Sequence, residues 1–316
     1  MEKLSKKKKI KWKRALLFGV ILLLVIGSIL GFTIFRTVSK SVNNMYKPLD
    51  IDSKQLLPSV SQDPISILLL GVDERPGDIG RSDTMIVITV NPETETSTMM
   101  SIPRDTRAFI SSKNTYDKIN AAYAYGGVGE TAQTIERFLN IPIDYYVKVN
   151  MDGFKDIVDA VGGVTVNNPF AFTLEGIHIP EGKQHINGEV ALKYVRMRKE
   201  DPRGDFGRQQ RQREVIDQII NEGSRLNSLV NYKKVLKALE KNVQTNLTFD
   251  QMIDIQRSHK NGVKNIKQME ITGEGGKIDN LWYYIVSEET RMKLSNELRK
   301  QLNLPIEGPA DRTQQT

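Results

Sequence analysis

The sequence predicts an α/β fold: a mixed central β-sheet flanked by helices, built as a single extracellular domain behind one N-terminal transmembrane helix. Three observations predict it. Short β-branched runs alternate with helix-period segments from residue 65 onward, the loops between the first runs are rich in Gly, Pro and Asp, and residues 15–35 are uncharged and mostly apolar.

Residues 1–14, MEKLSKKKKIKWKR, read as a basic cytoplasmic tail. They hold eight basic side chains and one acid; without them the chain has 37 of each, so the +7 net charge of the 316 residues belongs to this tail. A general basic surface is therefore not supported, and fourteen residues leave no room for a helix-turn-helix module, so no nucleic-acid partner is expected. Residues 15–35, ALLFGVILLLVIGSILGFTIF, would span about 30 Å as a helix, the thickness of a bilayer core. Eight positive charges before the segment, against Arg36, Lys40 and Lys47 after it, place the N-terminus in the cytoplasm and everything downstream outside. The apolar stretch is long for a signal peptide, and Ser39 and Ser41 make a poor cleavage site beyond Arg36, so an uncleaved, single-pass signal-anchor in the cell membrane is expected.

Residues 36–64 mix Asn, Ser and Lys with three prolines and show no sustained period, which suits a stalk. The folded domain is expected over 65–304, and residues 305–316 as a polar tail. Within the domain, residues 65–72, 85–90 and 96–102 read as strands, 129–140 as a helix, 144–149 as a strand, 152–161 as a helix and 164–166 as a strand. A helix through GEVALKYV, a long one over 206–229, two more near 231–242 and 249–258, a strand pair near 265–271 and 281–286, and a terminal helix from Ser287 complete the pattern.

Cysteine is absent and histidine occurs three times, which removes thiol nucleophiles, Cys-based zinc sites and disulfides together. Any metal is expected on oxygen ligands. Asp73 follows the first strand; Arg81 and Asp83 precede the second; Arg104 and Asp105 follow the third. If these strands run antiparallel in order, all five residues reach one sheet edge. Carboxylates brought together share a proton or bind a cation. With arginines beside them and no soft ligand nearby, the cation expected on Asp73 and Asp83 is Mg²⁺, with Mn²⁺ as its alternative. A salt-bridged loop is the competing reading.

A second cluster, from Lys193 to Arg213, holds eight basic residues, six of them arginine, against three acids. Val215, Ile216, Ile219 and Ile220 mark the buried face of the long helix, and stepping back along it reaches Arg208, Arg211 and Gln212. Guanidiniums facing inward at a helix N-terminus favour phosphate. Asp205 suits the N-cap as well as a site role. Arg196 and Arg198 share a face only in an extended chain, so they are placed where the preceding helix ends.

These blocks carry a resemblance. LLLGVDERPGDIGRSDTMIVITVNP, SIPRDT, INAAYAYGG, IDYYVKVNMDGFKDIVDAVGGV and HINGEVALKYVRMRK followed by DFGRQQRQREVI are similar to successive blocks of the LytR-CpsA-Psr family of bacterial cell-envelope enzymes. The resemblance implies a phosphotransferase on the outer face of a Gram-positive-type membrane. Such an enzyme moves an anionic glycopolymer, commonly wall teichoic acid, from a polyprenyl-pyrophosphate carrier to the muramic acid 6-hydroxyl of peptidoglycan. It implies Mg²⁺ on Asp73 and Asp83, a catalytic set of Asp73, Asp83, Arg104 and Arg198, and a pyrophosphate clamp drawn from Arg81, Arg104, Arg196, Arg198, Arg208 and Arg211. Gln212 joins the clamp, Arg107 and Asp205 are secondary candidates, and an apolar tunnel for the lipid tail is implied within the domain. Asp73 is the candidate base.

Phosphoryl transfer needs positioning and charge stabilisation more than covalent help, so oxygen ligands and an arginine cage suffice. A non-catalytic lipid-linked glycan binder, or a hydrolase of the same pyrophosphate, is the alternative. GVGETA satisfies the G-x-G-x-x-A spacing of a dinucleotide site, but helix-like sequence precedes it, so a helix-to-helix turn is expected at Gly127. His185 is expected to be structural or exposed, and Trp282 a packed strand residue rather than a sugar-stacking platform.

Overall fold

Residues 65–91 form two strands because apolar residues occupy both faces: Leu68 and Leu70 point to one side of the sheet, Ile67 and Leu69 to the other. The computed structural model describes residues 36–49, 63–74, 77, 79–225, 239–262 and 265–308. The expected cytoplasmic tail and transmembrane anchor, residues 1–35, lie outside these. Among the described residues no helix is long and apolar enough to cross a membrane.

Strands β1 (Ile65–Val72), β2 (Ser82–Asn91) and β3 (Thr96–Ser101) form an antiparallel meander. The strand β6 (Tyr145–Asn150) joins β1 in parallel, and β12 (Ile266–Glu270) joins β3 in parallel. With β11 (Val243–Thr245) antiparallel on β6, the sheet order is β11-β6-β1-β2-β3-β12, the mixed sheet that the sequence predicts. The expected pairing of 265–271 with 281–286 does not occur. Met269 of β12 is buried beside Met100 of β3, whereas β14 (Leu281–Ile285) closes a separate hairpin with β13 (Glu274–Ile278). Burial on a strand of the main sheet outcompetes a short local hairpin.

Helices cover both faces. One face of the sheet, including Leu68, Leu70, Met85, Val87 and Met100, packs against α2 (Ala121–Leu139) and α8 (Glu288–Gln301). The other, including Ile86, Ile88 and Met99, packs against α7 (Phe249–Ser258) and against Ile216 of α5 (Asp205–Arg225). Truncating a fully buried side chain such as Leu68 to Ala would cost about 2–5 kcal/mol. The helices begin where their sequences say: Asn150 caps α3 (Met151–Ala160), Asn187 caps α4 (Gly188–Arg196), Thr248 forms a capping box with Gln251, and Ser287 caps α8.

Besides the β13–β14 hairpin, three two-stranded sheets lie outside the main sheet among the described residues: the hairpin of β4 (Arg107–Ile110) with β5 (Thr115–Lys118), the hairpin of β8 (Phe172–Leu174) with β9 (Ile177–Ile179), and the pair of β7 (Val164–Asn168) with β10 (Gly182–Ile186) that flanks it in sequence. The turn expected at Gly127 is a break inside α2, where Gly126 and Gly127 leave helical geometry and Gly127 has φ +62°. His185 is exposed and bonded to the Gly162 carbonyl at 2.9 Å and to Thr165.

Both ends of the expected domain reach further. Residues 36–45 form a helix, α1, whose Val42 and Met45 pack with Val243, and Lys47 N–H bonds the Thr245 carbonyl at 2.8 Å, so this part of the expected stalk is docked on the β11 edge. Helical residues 239–242, in α6, supply Glu240 to Ser41 and Asn44. At the far end Glu307 is buried and accepts from Arg291 and Ser295, so the expected polar tail contributes an anchor.

Candidate active site

The C-terminal ends of β1, β3, β6 and β12 and the N-terminal end of β2 meet at one sheet edge, and the first turn of α5 is set against it. The ladder of β1 and β2 is regular from Ile65↔Val90 to Gly71↔Thr84 and then skips to Val72↔Ser82. Asp83 is the extra residue, a β-bulge that re-aims its side chain. Sequence reading places Asp83 just before β2; in the fold it lies within the strand's first turn of ladder. The loop from Asp73 to Arg81 closes through the Asp73 N–H on the Arg81 carbonyl at 3.4 Å. Gly80, at φ +71°, lies so near the Asp73 backbone that a Cβ there would meet the Asp73 carbonyl oxygen at 2.3 Å.

Arg104 Nη1 donates to Asp83 Oδ1 at 2.8 Å, with side chains 20% and 36% exposed. Burial opposes the Arg104 charge, but the Asp83 carboxylate, with Asp205 and Asp105 behind it, outweighs burial and holds the guanidinium above its ordinary value. Asp105 in turn pairs with Lys118 at 2.9 Å. From α5, Arg208 Nη2 lies 2.8 Å from Asp205 Oδ1, an ion pair without hydrogen-bond alignment, and donates to the Asp83 carbonyl at 3.3 Å. Its buried Nε has no acceptor. Burial pulls the Arg208 guanidinium below its ordinary value; Asp205 works against this, while the charges of Arg104 and Arg198 add to it. It remains cationic at any ordinary pH. Asp205 does not spend its carboxylate on an N-cap bond; its Oδ2 accepts from Gln209 Nε2 at 3.0 Å.

The fold therefore gathers Asp83, Arg104, Asp205 and Arg208, with exposed Arg198 close enough to act on Arg208. Asp73 and exposed Arg81 occupy the same edge. The others are used elsewhere. Arg196 pairs with Glu175 of the β8–β9 hairpin at 3.3 Å. Arg211, although inward-facing as its register predicts, is buried in structural bonds: Nε to the Tyr194 carbonyl at 2.9 Å, Nη2 to the Met197 carbonyl, Nη1 to Asp201. Gln212 faces the Val195 carbonyl at 3.5 Å, and Arg107 lies over the Tyr116 ring at 4.2 Å.

Sequence reasoning missed two polar clusters at this edge. Lys148, on β6, is buried and donates to Glu74 at 2.8 Å and to the Tyr123 hydroxyl at 3.1 Å; Tyr123 also donates to Glu74. Burial pushes Glu74 up, yet its bonds from Lys148 and Tyr123 prevail and hold it below the usual carboxylate range. The signal was a lysine at an inward position of YYVKVN. The second is Arg213, 2% exposed, which donates to Gln268 at 3.0 Å, to Ser101 at 3.0 Å and to Glu270 at 2.8 Å. Among the described residues no group of three or more His, Cys, Asp or Glu gathers as a self-sufficient metal cage.

A charged edge that offers buried guanidiniums can be compared with known proteins. Residues 32–300 match the model of the LytR_cpsA_psr family. A polyisoprenyl-teichoic acid–peptidoglycan teichoic acid transferase, TagU, from Bacillus mycoides is 47% identical over 305 residues, 95% of this chain and 99% of the relative. The crystal structure of B. subtilis TagU superposes with a TM-score of 0.63 at 48% identity, over 78% of this chain and all of that one. A structure of TagT bound to LI-WTA gives 0.67 at 30% identity, over 78% and 93% of the two chains. Overall fold and sequence thus agree along most of the molecule, and the chain belongs to the LytR_cpsA_psr family.

Proposed function

We propose that the protein transfers an anionic glycopolymer, wall teichoic acid in the first instance, from a polyprenyl-pyrophosphate carrier to peptidoglycan, forming a phosphodiester at the muramic acid 6-hydroxyl. The observation that carries this reading is the meeting of Asp83, Arg104, Asp205 and Arg208, in which Arg208 is buried and its Nε–H points at no acceptor. A buried donor without a partner costs about 1–3 kcal/mol, which a phosphate oxygen would offset. The names of the TagU relatives and the structure of TagT bound to LI-WTA support the substrate class.

Arg208 and Arg104 would bind the pyrophosphate, with Asp205 and Asp83 fixing their guanidinium planes. Lys118, held by Asp105, lies on the same side and would neutralise charge that develops on the leaving polyprenyl phosphate. Mg²⁺ fits the donor set: Asp73 and Asp83 on one edge and, among the described residues, no closed cage of His, Cys, Asp or Glu, since this ion keeps waters and takes one or two carboxylates with phosphate oxygens. Asp73 and Asp83 would hold it, and bound there it would screen the pyrophosphate charge. Asp73 is also the candidate to accept the hydroxyl proton. Residues 15–35 would anchor the chain in the cell membrane with the domain outside, where lipid-linked polymer and peptidoglycan meet.

The test is reconstitution of the full chain with polyprenyl-pyrophosphate glycopolymer, peptidoglycan fragments and Mg²⁺. Covalent transfer of glycan is expected. Release of phosphate-ended glycan to water would make it a hydrolase, and retention without turnover a binder.

A further inference from the structure

Beside the charged cluster lies a cavity of about 340 Å³ that none of Asp83, Arg104, Asp205 and Arg208 lines. Arg203, Phe206, Glu270, Thr272 and Tyr284 line it. It shares two walls with the reactive cluster: Phe206 directly follows Asp205 in α5, and the Tyr284 N–H donates to the Asp105 carbonyl at 2.8 Å. From these walls and their chemistry we infer that this cavity is the subsite for the acceptor glycan, the hydroxyl-bearing sugar chain of peptidoglycan. The inference rests on the transferase reading and deepens it.

In-line displacement requires the attacking hydroxyl to approach from the side opposite the leaving phosphate, so a second, sugar-sized space must adjoin the phosphate clamp. Sugar rings present C–H faces and hydroxyl rims, and a matching site combines aromatic surface with a few fixed polar groups. The cavity has both. Phe206 and Tyr284 meet edge to face at 5.6 Å, and the Tyr284 hydroxyl is tied to the Ile271 carbonyl at 3.1 Å, so its ring is held in place. Glu270 is fixed from behind by buried Arg213 and from the side by Arg203, whose Nη2 contacts both carboxylate oxygens at 3.0 and 3.1 Å. Burial of Glu270 raises its pKa, but Arg203 and Arg213 override it and keep the carboxylate ionised, so an acceptor sugar would meet two fixed charges of opposite sign.

The surface continues past the rim. On β14 the two-residue period places Trp282 on the same face as Tyr284. The indole lies on Gly275, where a Cβ would come within 2.8 Å of it, and stays 45% exposed. Sequence reading treats Trp282 as a packed strand residue; the glycine beneath it instead leaves a broad ring face in solvent. A polymeric acceptor seated at Thr272 would run on over this indole.

The test uses the full chain in lipid nanodiscs with saturating polyprenyl-pyrophosphate glycopolymer and varied soluble, uncrosslinked peptidoglycan glycan strands. Arg203→Ala removes an exposed fork, Thr272→Trp fills the cavity from its exposed rim, and Trp282→Ala removes the platform. Each is expected to raise the acceptor KM by about tenfold with kcat changed less than about threefold, while donor binding stays as in the parent protein. Unchanged acceptor KM in Thr272→Trp, in protein with a parental melting curve, overturns the assignment. Should the parent chain transfer nothing, the transferase reading fails on its own, and direct calorimetric binding of the glycan strand decides the cavity: binding by the parent lost in Thr272→Trp supports it, and equal or absent binding in both overturns it.

Discussion

Arg211 separates two accounts of the arginine cluster, because the resemblance assigns it to phosphate while the fold buries it in structural bonds. Its side chain and that of Asp201 are 3% and 4% exposed, and the guanidinium also holds the carbonyls of Tyr194 and Met197 at the end of α4. Asp201 accepts the Arg203 N–H at 2.7 Å and so shapes the turn that leads into α5. Asp201→Asn would leave a buried guanidinium without its counter-charge, a loss of about 3–5 kcal/mol. At about 2–4 °C per kcal/mol for a domain of this size, the melting temperature should fall by roughly 10 °C. Arg211→Met should fall comparably, and the double variant should recover at least about 2 kcal/mol relative to the sum of the two. Thermal unfolding followed by circular dichroism measures all three. If Arg211→Met melts with the parent protein yet no longer transfers glycan, the structural role is refuted and the phosphate role stands.

Three further outcomes are expected. Arg104→Ala should lower turnover by about 10²–10³-fold, as for other preorganised donors, while the melting temperature moves little because the Asp83 pair is partly exposed; parallel kinetics and melting would check this, and a large stability loss with normal turnover would contradict it. Gly80→Ala, at φ +71° against the Asp73 backbone, should strain the loop by about 1–2 kcal/mol and raise the Mg²⁺ concentration needed for half-maximal transfer; a Mg²⁺ titration unchanged from the parent would show that this loop does not set the metal site. Glu74, held low by Lys148 and Tyr123 despite burial, contributes stability that is present above its ordinary pKa of 4.5 and is lost as pH falls through the lower folded value. Glu74→Gln should therefore be less stable at neutral pH and show a shallower acid-side decline in urea midpoints; parallel curves would count against the assignment.

The central strands were legible because they are buried on both faces, so their apolar runs are continuous and bounded by turn residues. The inward stripe of α5 was legible for the same reason: Val215 anchors a period that Arg208, Arg211 and Gln212 continue. Sequence periodicity says that a guanidinium faces inward but not what it meets there. Arg208 meets Asp83 and Asp205, whereas Arg211, one turn on, meets Asp201 and two carbonyls. The strand β12 was misassigned to a pair with residues 281–286 because parallel pairing over 169 residues of separation, Ile266 with Ser97 onward, leaves no local turn signal. Lys148, Glu74 and Tyr123 were missed because their partnership spans three elements and no short motif joins them.

The unpaired residue of β2 sets chemistry against regularity. Removing Asp83 would let Ser82 move up beside Thr84, and the pairing of Gly71 with Thr84 would continue into Val72 with Ser82 as an uninterrupted ladder. The sheet would be tidier and the pleat beyond it undisturbed, since every register from Thr84 to Val90 is already satisfied. A shortened chain of that kind would keep the sheet's pairing while having lost both the carboxylate that orients Arg104 and the carbonyl that Arg208 meets, so a single-residue deletion would separate the sheet from the site built on it.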